Sequence, residues 1–382
     1  MTERQQSRVA LALTVALFLG TLLVEVYTHQ DLRDDFGELY TAGMIVRQGN
    51  TAKLYNLEEQ TRIEASALNR KQVLPFIHTP FEALLCVPLA ALPYSWAYLI
   101  WGAMNIVGWM AVAYLVRPYA PVPRQAFQYL ILCFAFFPGW IALLLGQTTI
   151  ILLLIFTLVY ISLERGQDLM AGILLGLGLI SFQIVLPFAL ILLLRRQWRV
   201  IAGFSLTAAA LAGVSALVVG IAGMRSYILL MLYLVNHPTS WLLAGIGPRN
   251  FPTVRGFFGT ILSESFPPIW SDVLIAVLSL SVIWLAYRSW QARGMLKHGF
   301  SCALVASVLA SFHLLDYDLL LLLLPILLMA GEIRHRITKA AVAVIYLPVY
   351  PVLVKFASIY WLFWPIAVFA ASLFGIRKPE QV

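Results

Sequence analysis

The feature that most constrains this chain is its uninterrupted apolar runs. The stretch 169–194, LMAGILLGLGLISFQIVLPFALILLL, carries no charge across its whole length. Such a run is stable in a lipid bilayer only as a helix, which bonds every backbone N–H and C=O within the segment, and one crossing takes roughly 20 residues. Comparable runs recur along the chain and predict about twelve crossings. After a first run within 9–29, they are expected near 79–93, 95–116, 125–145, 147–163, 169–194, 200–222, 270–290, 298–314, 317–331, 340–354 and 356–376. Composition agrees: 61% of the 382 residues are hydrophobic, 12% are charged and mean hydropathy is +0.85. The expected fold class is therefore an all-α polytopic membrane protein, one unit over 1–382 with no separate soluble domain, because the longest loops are too small to hold a core.

Charge sets the orientation. The excess of +8 would suggest nucleic acid in a soluble protein, but here it follows topology and no nucleic-acid partner is expected. Arg4 and Arg8 precede the first run, which is too long for a cleaved signal peptide and has no small-x-small cleavage site, so it reads as a signal anchor. Counting crossings from a cytoplasmic N-terminus places Arg195-Arg196-Gln197-Trp198-Arg199, Arg288 to Lys297, Arg334 to Lys339 and Arg377-Lys378 on the cytoplasmic side, as the positive-inside rule requires. Both termini are then cytoplasmic. Two larger segments, 29–78 and 223–269, fall outside. The first contains 53–70, where Leu54, Leu57, Ala65 and Leu68 share one helical face and suit either an interfacial helix or a solvated loop helix. The second, rich in Gly, Pro and aromatics, suits a lid over a site or a re-entrant segment. Gly172-x-x-x-Gly176 predicts close helix packing.

Ionisable groups at the membrane edge are costly and therefore mark candidate sites. The topology collects Asp34, Asp35, His78, His237, Arg249, Arg255, His313, Asp316 and Lys355 on the outer side, where they can border one outward-facing cavity. Each has a plainer reading as a cap, a snorkelling cation or a solvated loop charge. Asp35 with Glu38 three residues on has the spacing of a helix capping box. Cys86, Cys133 and Cys302 lie in apolar runs and read as core residues. No His or Cys spacing suits zinc, no glycine-rich phosphate loop follows a strand, and neither metal nor cofactor is expected.

Four stretches in order carry a resemblance: Asp35-Phe36-Gly37-Glu38-Leu39-Tyr40-Thr41-Ala42-Gly43 with Gln48-Gly49 and Leu54-Tyr55; His78-Thr79-Pro80 with Pro88-Leu89-Ala90-Ala91-Leu92-Pro93; Gly146-Gln147 with Ala171-Gly172 and Pro187; and His313-Leu314-Leu315-Asp316-Tyr317-Asp318 before a Leu-rich span. Together they resemble the C-type integral-membrane glycosyltransferases (GT-C fold), specifically the bacterial family 87 that includes polyprenol-phosphate-mannose-dependent mannosyltransferases. Two departures stand out: Gln183 where the family often has Lys, and His78 where it has an aromatic. The resemblance implies outer-face juxtamembrane helices, a bacterial inner-membrane location, and transfer of a sugar, mannose favoured, from a polyprenyl-phosphate donor to a lipid or glycan acceptor on the periplasmic side. It implies Asp35 as the base, with Asp34 as fallback, and a cavity lined by Tyr40, His78, His237 and Asp316.

Such a transfer needs a base for the acceptor hydroxyl and positive charge or donors for the leaving phosphate. His313 is the first candidate for the phosphate, followed by Lys355, Arg249 and Arg255. A base on one face of the sugar with the leaving group on the other gives inversion. The rival class is a transporter or flippase of lipid-linked sugars, which calls for ionisable groups near the midplane and matching broken helices.

Overall fold

The structure, a computed structural model, describes residues 35–68, 74–121, 126–236, 247–262, 266–348 and 358–375. Asp34, His237, Lys355, the first apolar run and Arg377-Lys378 lie outside the described residues. Among those described, all regular structure is helical. Four helical segments are long and apolar enough to cross a membrane, and a fifth follows if a bent pair counts as one span. Leu217 and Ile221 are 86% and 90% exposed and Trp270 is 64% exposed. Apolar groups this bare belong against lipid rather than water.

The chain opens with α1 (Phe36–Arg47) and α2 (Leu57–Leu68), followed by helical turns at Pro80–Glu82, Ala83–Cys86 and Leu89–Ala91. The sequence predicts a crossing near 79–93, and the structure instead has these three short turns. Pro80, Pro88 and Pro93 each lack an N–H and clash with the preceding turn, so no continuous helix forms. The turns seat α1: Tyr40 Oη donates to Leu92 O at 2.7 Å and Arg47 Nη1 to Ala90 O at 3.2 Å. In α2 the buried face is Gln60, Ile63 and Glu64, while Ala65 is exposed. The amide of Gln60 decides this. It donates to Leu54 O and Phe76 O and accepts from Phe76 N, satisfying backbone groups that have no helix or sheet partner.

The membrane portion begins with α3 (Tyr94–Val116), a 23-residue helix. The run near 125–145 breaks into α4 (Ala126–Phe134) and α5 (Phe137–Leu145), bent by 54°, with Pro138 supplying the break. Next come α6 (Thr149–Glu164), α7 (Asp168–Leu177), α8 (Phe182–Leu194) and the long α9 (Trp198–Asn236), which is interrupted at Gly220, φ 66°. α7 packs tightly on α9 because Gly172 has no Cβ. One placed there would lie 1.9 Å from Val200 O, as the Gly-x-x-x-Gly pattern predicts. Beyond its break α9 reaches the layer of α1, α2 and the short turns, where Tyr227 meets Tyr55 with ring centroids 5.1 Å apart.

The chain ends with α10 (Val254–Leu262), α11 (Pro268–Arg293), α12 (Leu296–Ala310), a tight turn of helix over Tyr317–Leu322, α13 (Leu323–Met329), α14 (Arg336–Tyr346) and α15 (Phe363–Phe374). α12 and α13 are buried along almost their whole length and form the axis of the main core. A second, smaller core lies under α1, centred on Phe36, Tyr40, Tyr55, Phe76 and Trp101. The site lies where the two cores meet.

Candidate active site

The corner between α5 and α6 organises the site. α5 ends on Gly146 in the left-handed region, φ 68°. A Cβ there would sit 2.6 Å from that of Phe36, and Gly146 O accepts from the indole of Trp101 at 2.7 Å. Only glycine reconciles that turn with that contact. The chain then presents Gln147 and Thr149 side by side. The Gln147 amide Nε2 donates to Asp35 Oδ2. Thr149 Oγ1 donates at 2.8 Å to Oδ1 of the buried Asp318. Asp318 Oδ2 also accepts from Leu315 N at 3.1 Å. Two acids far apart in sequence thus meet a single four-residue corner.

Asp35 precedes the first residue of α1 but makes no side-chain cap bond. The capping-box spacing is therefore present without the box, because Glu38 is engaged elsewhere. Glu38 Oε1 lies 3.1 Å from His78 Nε2, and Glu82 Oε2 lies 3.1 Å from His78 Nδ1. Glu82 is itself fixed through Oε1 by Thr79 N and Thr79 Oγ1. Burial works against a charge on His78, but the carboxylates of Glu82 and Glu38 outweigh it and hold its pKa well above the ordinary range. His78 is a cation wedged between two acids at the edge of the site, and its charge reaches both Asp318 and His313.

His313 borders the same mouth from the other side. Its ring meets Phe251 edge-on, centroids 5.0 Å apart. Burial, then the charges of Arg255 and His78, depress its pKa to about 4, so it is neutral near pH 7. Arg255, in the first turn of α10, donates to Phe312 O at 2.7 Å and lies 5.8 Å from the Phe251 ring centre. Arg249 is exposed in the turn Pro248–Asn250. Asp316 is half-buried and accepts from its neighbour Tyr317 N at 3.0 Å. Tyr317 feels the charges of Asp35, Asp318, Glu38 and Asp316 together. Tyr40 is buried under α1 with its hydroxyl committed to Leu92 O.

The structure thus brings Asp35, His78, His313, Asp316 and Arg255 to one end of the bundle and leaves Arg249 at the rim. It adds Gln147, Thr149 and Glu38, and brings in Glu82 and Asp318, which the sequence marks as ionisable groups at the edge of apolar runs; Asp318 binds Thr149. Asp318 had a signal in the sequence: it is the last charge before a run of six leucines, at membrane depth. Gln147 had one too, as a lone amide between two apolar runs. Among the described residues no cluster of three or more His, Cys, Asp or Glu could hold a metal ion.

The sequence model of glycosyltransferase family 87 matches residues 76–312, more than half of the chain. The chain belongs to glycosyltransferase family 87. No curated protein and no solved structure matches it. The family match covers His78, Gln147, Arg249 and Arg255. It begins after α1 and stops one residue before His313, so geometry alone ties Asp35 and His313 to this glycosyltransferase's site. The basic ends of α8, α11 and α14 lie away from it: Phe182, at the start of α8, packs on Phe312 at 5.8 Å between ring centres, while Arg195 closes the far end. α12 alone puts about 22 Å between those ends, at 1.5 Å per residue.

Proposed function

We propose that this family 87 enzyme transfers a sugar, mannose favoured, from a polyprenyl-phosphate donor to a lipid or glycan acceptor, with inversion, at the outer face of a bacterial inner membrane. The observation that carries the reading is the Gln147–Asp35 bond at the mouth shared with His313 and Arg255. It supplies a held carboxylate on one side and phosphate-binding groups on the other. Gln147 holds Asp35 through Oδ2, which fixes the carboxylate at the mouth where the acceptor would bind.

In the reaction the acceptor hydroxyl attacks the anomeric carbon as Asp35 takes its proton. The bond from that carbon to the phosphate oxygen breaks, and its electron pair leaves with the polyprenyl phosphate. Arg255 and His313 face that developing charge, with Arg249 and Lys355 as further candidates. His313 is neutral in the free enzyme and can donate one hydrogen bond or take up a proton as the phosphate arrives. His78 is different: both ring nitrogens are committed to Glu38 and Glu82, so it contributes charge and position. Asp34, His237 and Asp316 remain candidates for lining the cavity, and the buried Tyr40 supports it from below. A cytoplasmic location for both termini follows from the basic ends.

The test uses proteoliposomes with polyprenyl-phosphate mannose and a membrane-lipid acceptor extract, with products read by mass spectrometry. Wild type should add one hexose to an acceptor. Asp35→Asn keeps the shape and the Gln147 contact but removes the base, and should lower the rate by roughly 10² to 10⁴. Wild-type turnover in that variant removes Asp35 from the base role. Sugar appearing across the vesicle without any new glycosidic bond would favour the transporter instead.

A further inference from the structure

We propose that the end of the bundle remote from the active site holds a binding site for the phosphodiester of an anionic phospholipid, built on Arg195 stacked over Trp290. The proposal does not rest on the sugar-transfer reading, only on the membrane-spanning character of the helices.

Arg195 follows the last residue of α8. Three of the carbonyls that end this helix are already satisfied: Ile191 O, Leu192 O and Leu193 O accept from the backbone N–H of Arg195, Gln197 and Arg196 at 3.0, 3.1 and 2.8 Å. The guanidinium is therefore not needed as a helix cap. Instead it lies 4.3 Å from the centre of the Trp290 ring. Trp290 is itself held rigidly, because α12 passes so close at Gly299 that a Cβ there would fall 2.0 Å from the indole. Arg195 Nε and Nη1 are buried and have no hydrogen-bond partner among the described residues. Burial depresses the pKa of Arg195, and Tyr287 acts in the opposite direction. Of the acids at this end, Glu332 is taken by Arg293 at 3.2 Å and Glu164 accepts from Tyr160 Oη at 2.6 Å, while Asp168 opens α7.

A guanidinium stays charged at any accessible pH, and a desolvated charge without a partner is unstable. The group that satisfies it is an anion with several acceptor oxygens, and phosphate matches the planar fork of donors. The surroundings choose a lipid as the source. Leu193, Leu194 and Trp198, within three residues of Arg195 in the chain, are all exposed, and a Trp at a helix end marks the headgroup level of a bilayer. Arg196 and Arg199 are exposed on the same corner and add charge. Arg196 holds φ 57°, a region where glycine is the easy residue. The chain keeps a third cation there against a backbone cost. Basic pockets between helix ends on the positive side of the membrane are suited to anionic headgroups.

The test compares the full-length protein in nanodiscs of phosphatidylcholine with nanodiscs containing phosphatidylglycerol, by thermal unfolding and by native mass spectrometry of retained lipid. Phosphatidylglycerol should raise the unfolding temperature of wild type and remain bound. Arg195→Lys keeps the charge and the stem but loses the fork, and should retain the lipid about fivefold less well, the worth of one hydrogen bond. Arg196→Gln should behave nearly as wild type. Equal retention by Arg195→Lys overturns the proposal. So does an equal shift produced by inorganic phosphate in phosphatidylcholine discs, or loss of the lipid effect on removing residues 376–382, which would assign the lipid to Arg377 and Lys378 instead of Arg195.

Discussion

Substituting Gly146 by alanine tests whether the α5–α6 corner positions the base. Two costs add. The left-handed backbone, φ 68°, disfavours any residue with a Cβ by about 1 kcal/mol. The new methyl would also lie 2.6 Å from Phe36 Cβ, about 1 Å inside a normal carbon contact. Phe36 cannot retreat: its ring packs on Trp101, Tyr94, Tyr98 and Tyr40 with centroids 5.5 to 6.1 Å away. Overpacking of this kind costs about 1–3 kcal/mol, so the expected destabilisation is about 2–4 kcal/mol in all. Relief must come from a shift of α1 against the corner, which separates Asp35 from Gln147. A displacement near 1 Å in positioned groups costs on the order of 10²-fold in rate. The assay is sugar transfer in proteoliposomes beside thermal unfolding. Gly49→Ala is the control, since Gly49 has φ 77° but a methyl added there would meet nothing within 4 Å. It should lose about 1 kcal/mol and keep its activity. Equal effects of the two substitutions on transfer, or normal kcat in Gly146→Ala, would refute the reasoning.

Two further outcomes are expected. Folded His78 holds its proton more tightly than its ordinary value of 6.5, so its ion pairs contribute in full below about pH 6.5 and fade as pH rises through the raised value. The stability gap between wild type and His78→Gln, about 1–2 kcal/mol in weakly acidic buffer, should therefore shrink toward alkaline pH in denaturant titrations; a gap independent of pH between 6 and 10 would show that His78 is not the titrating group. Thr149→Val removes the donor to buried Asp318 Oδ1 while keeping the shape, and should cost about 1–3 kcal/mol in thermal unfolding with a smaller rate loss than Asp35→Asn. Unchanged stability would mean the bond contributes nothing.

Hydropathy and charge, both readable along the chain, sufficed for the membrane class, the helical fold and the separation of a basic end from an acidic mouth. A helix in lipid closes its own hydrogen bonds, so a local sum of apolar residues decides that it forms. The same sum failed at 79–93, where three prolines override hydropathy, and in α2, where Gln60 rather than a leucine turns inward. The site was legible only as a set of ionisable residues, several of which the folded chain brings to one end of the bundle. Asp35 and His313 were visible as candidates, but the capping spacing of Asp35 and Glu38 pointed to a bond the folded chain does not make. What tertiary structure alone decided is pairing. It put Gln147 on Asp35, Thr149 on Asp318, and Glu38 with Glu82 around His78. It also raised the pKa of one histidine of the mouth and lowered that of the other. These depend on how α1 and its turns dock on the α5–α6 corner, a contact across more than a hundred residues that leaves no periodic mark in sequence. The charge state of a side chain follows from its neighbours in space, and only the packed chain supplies them.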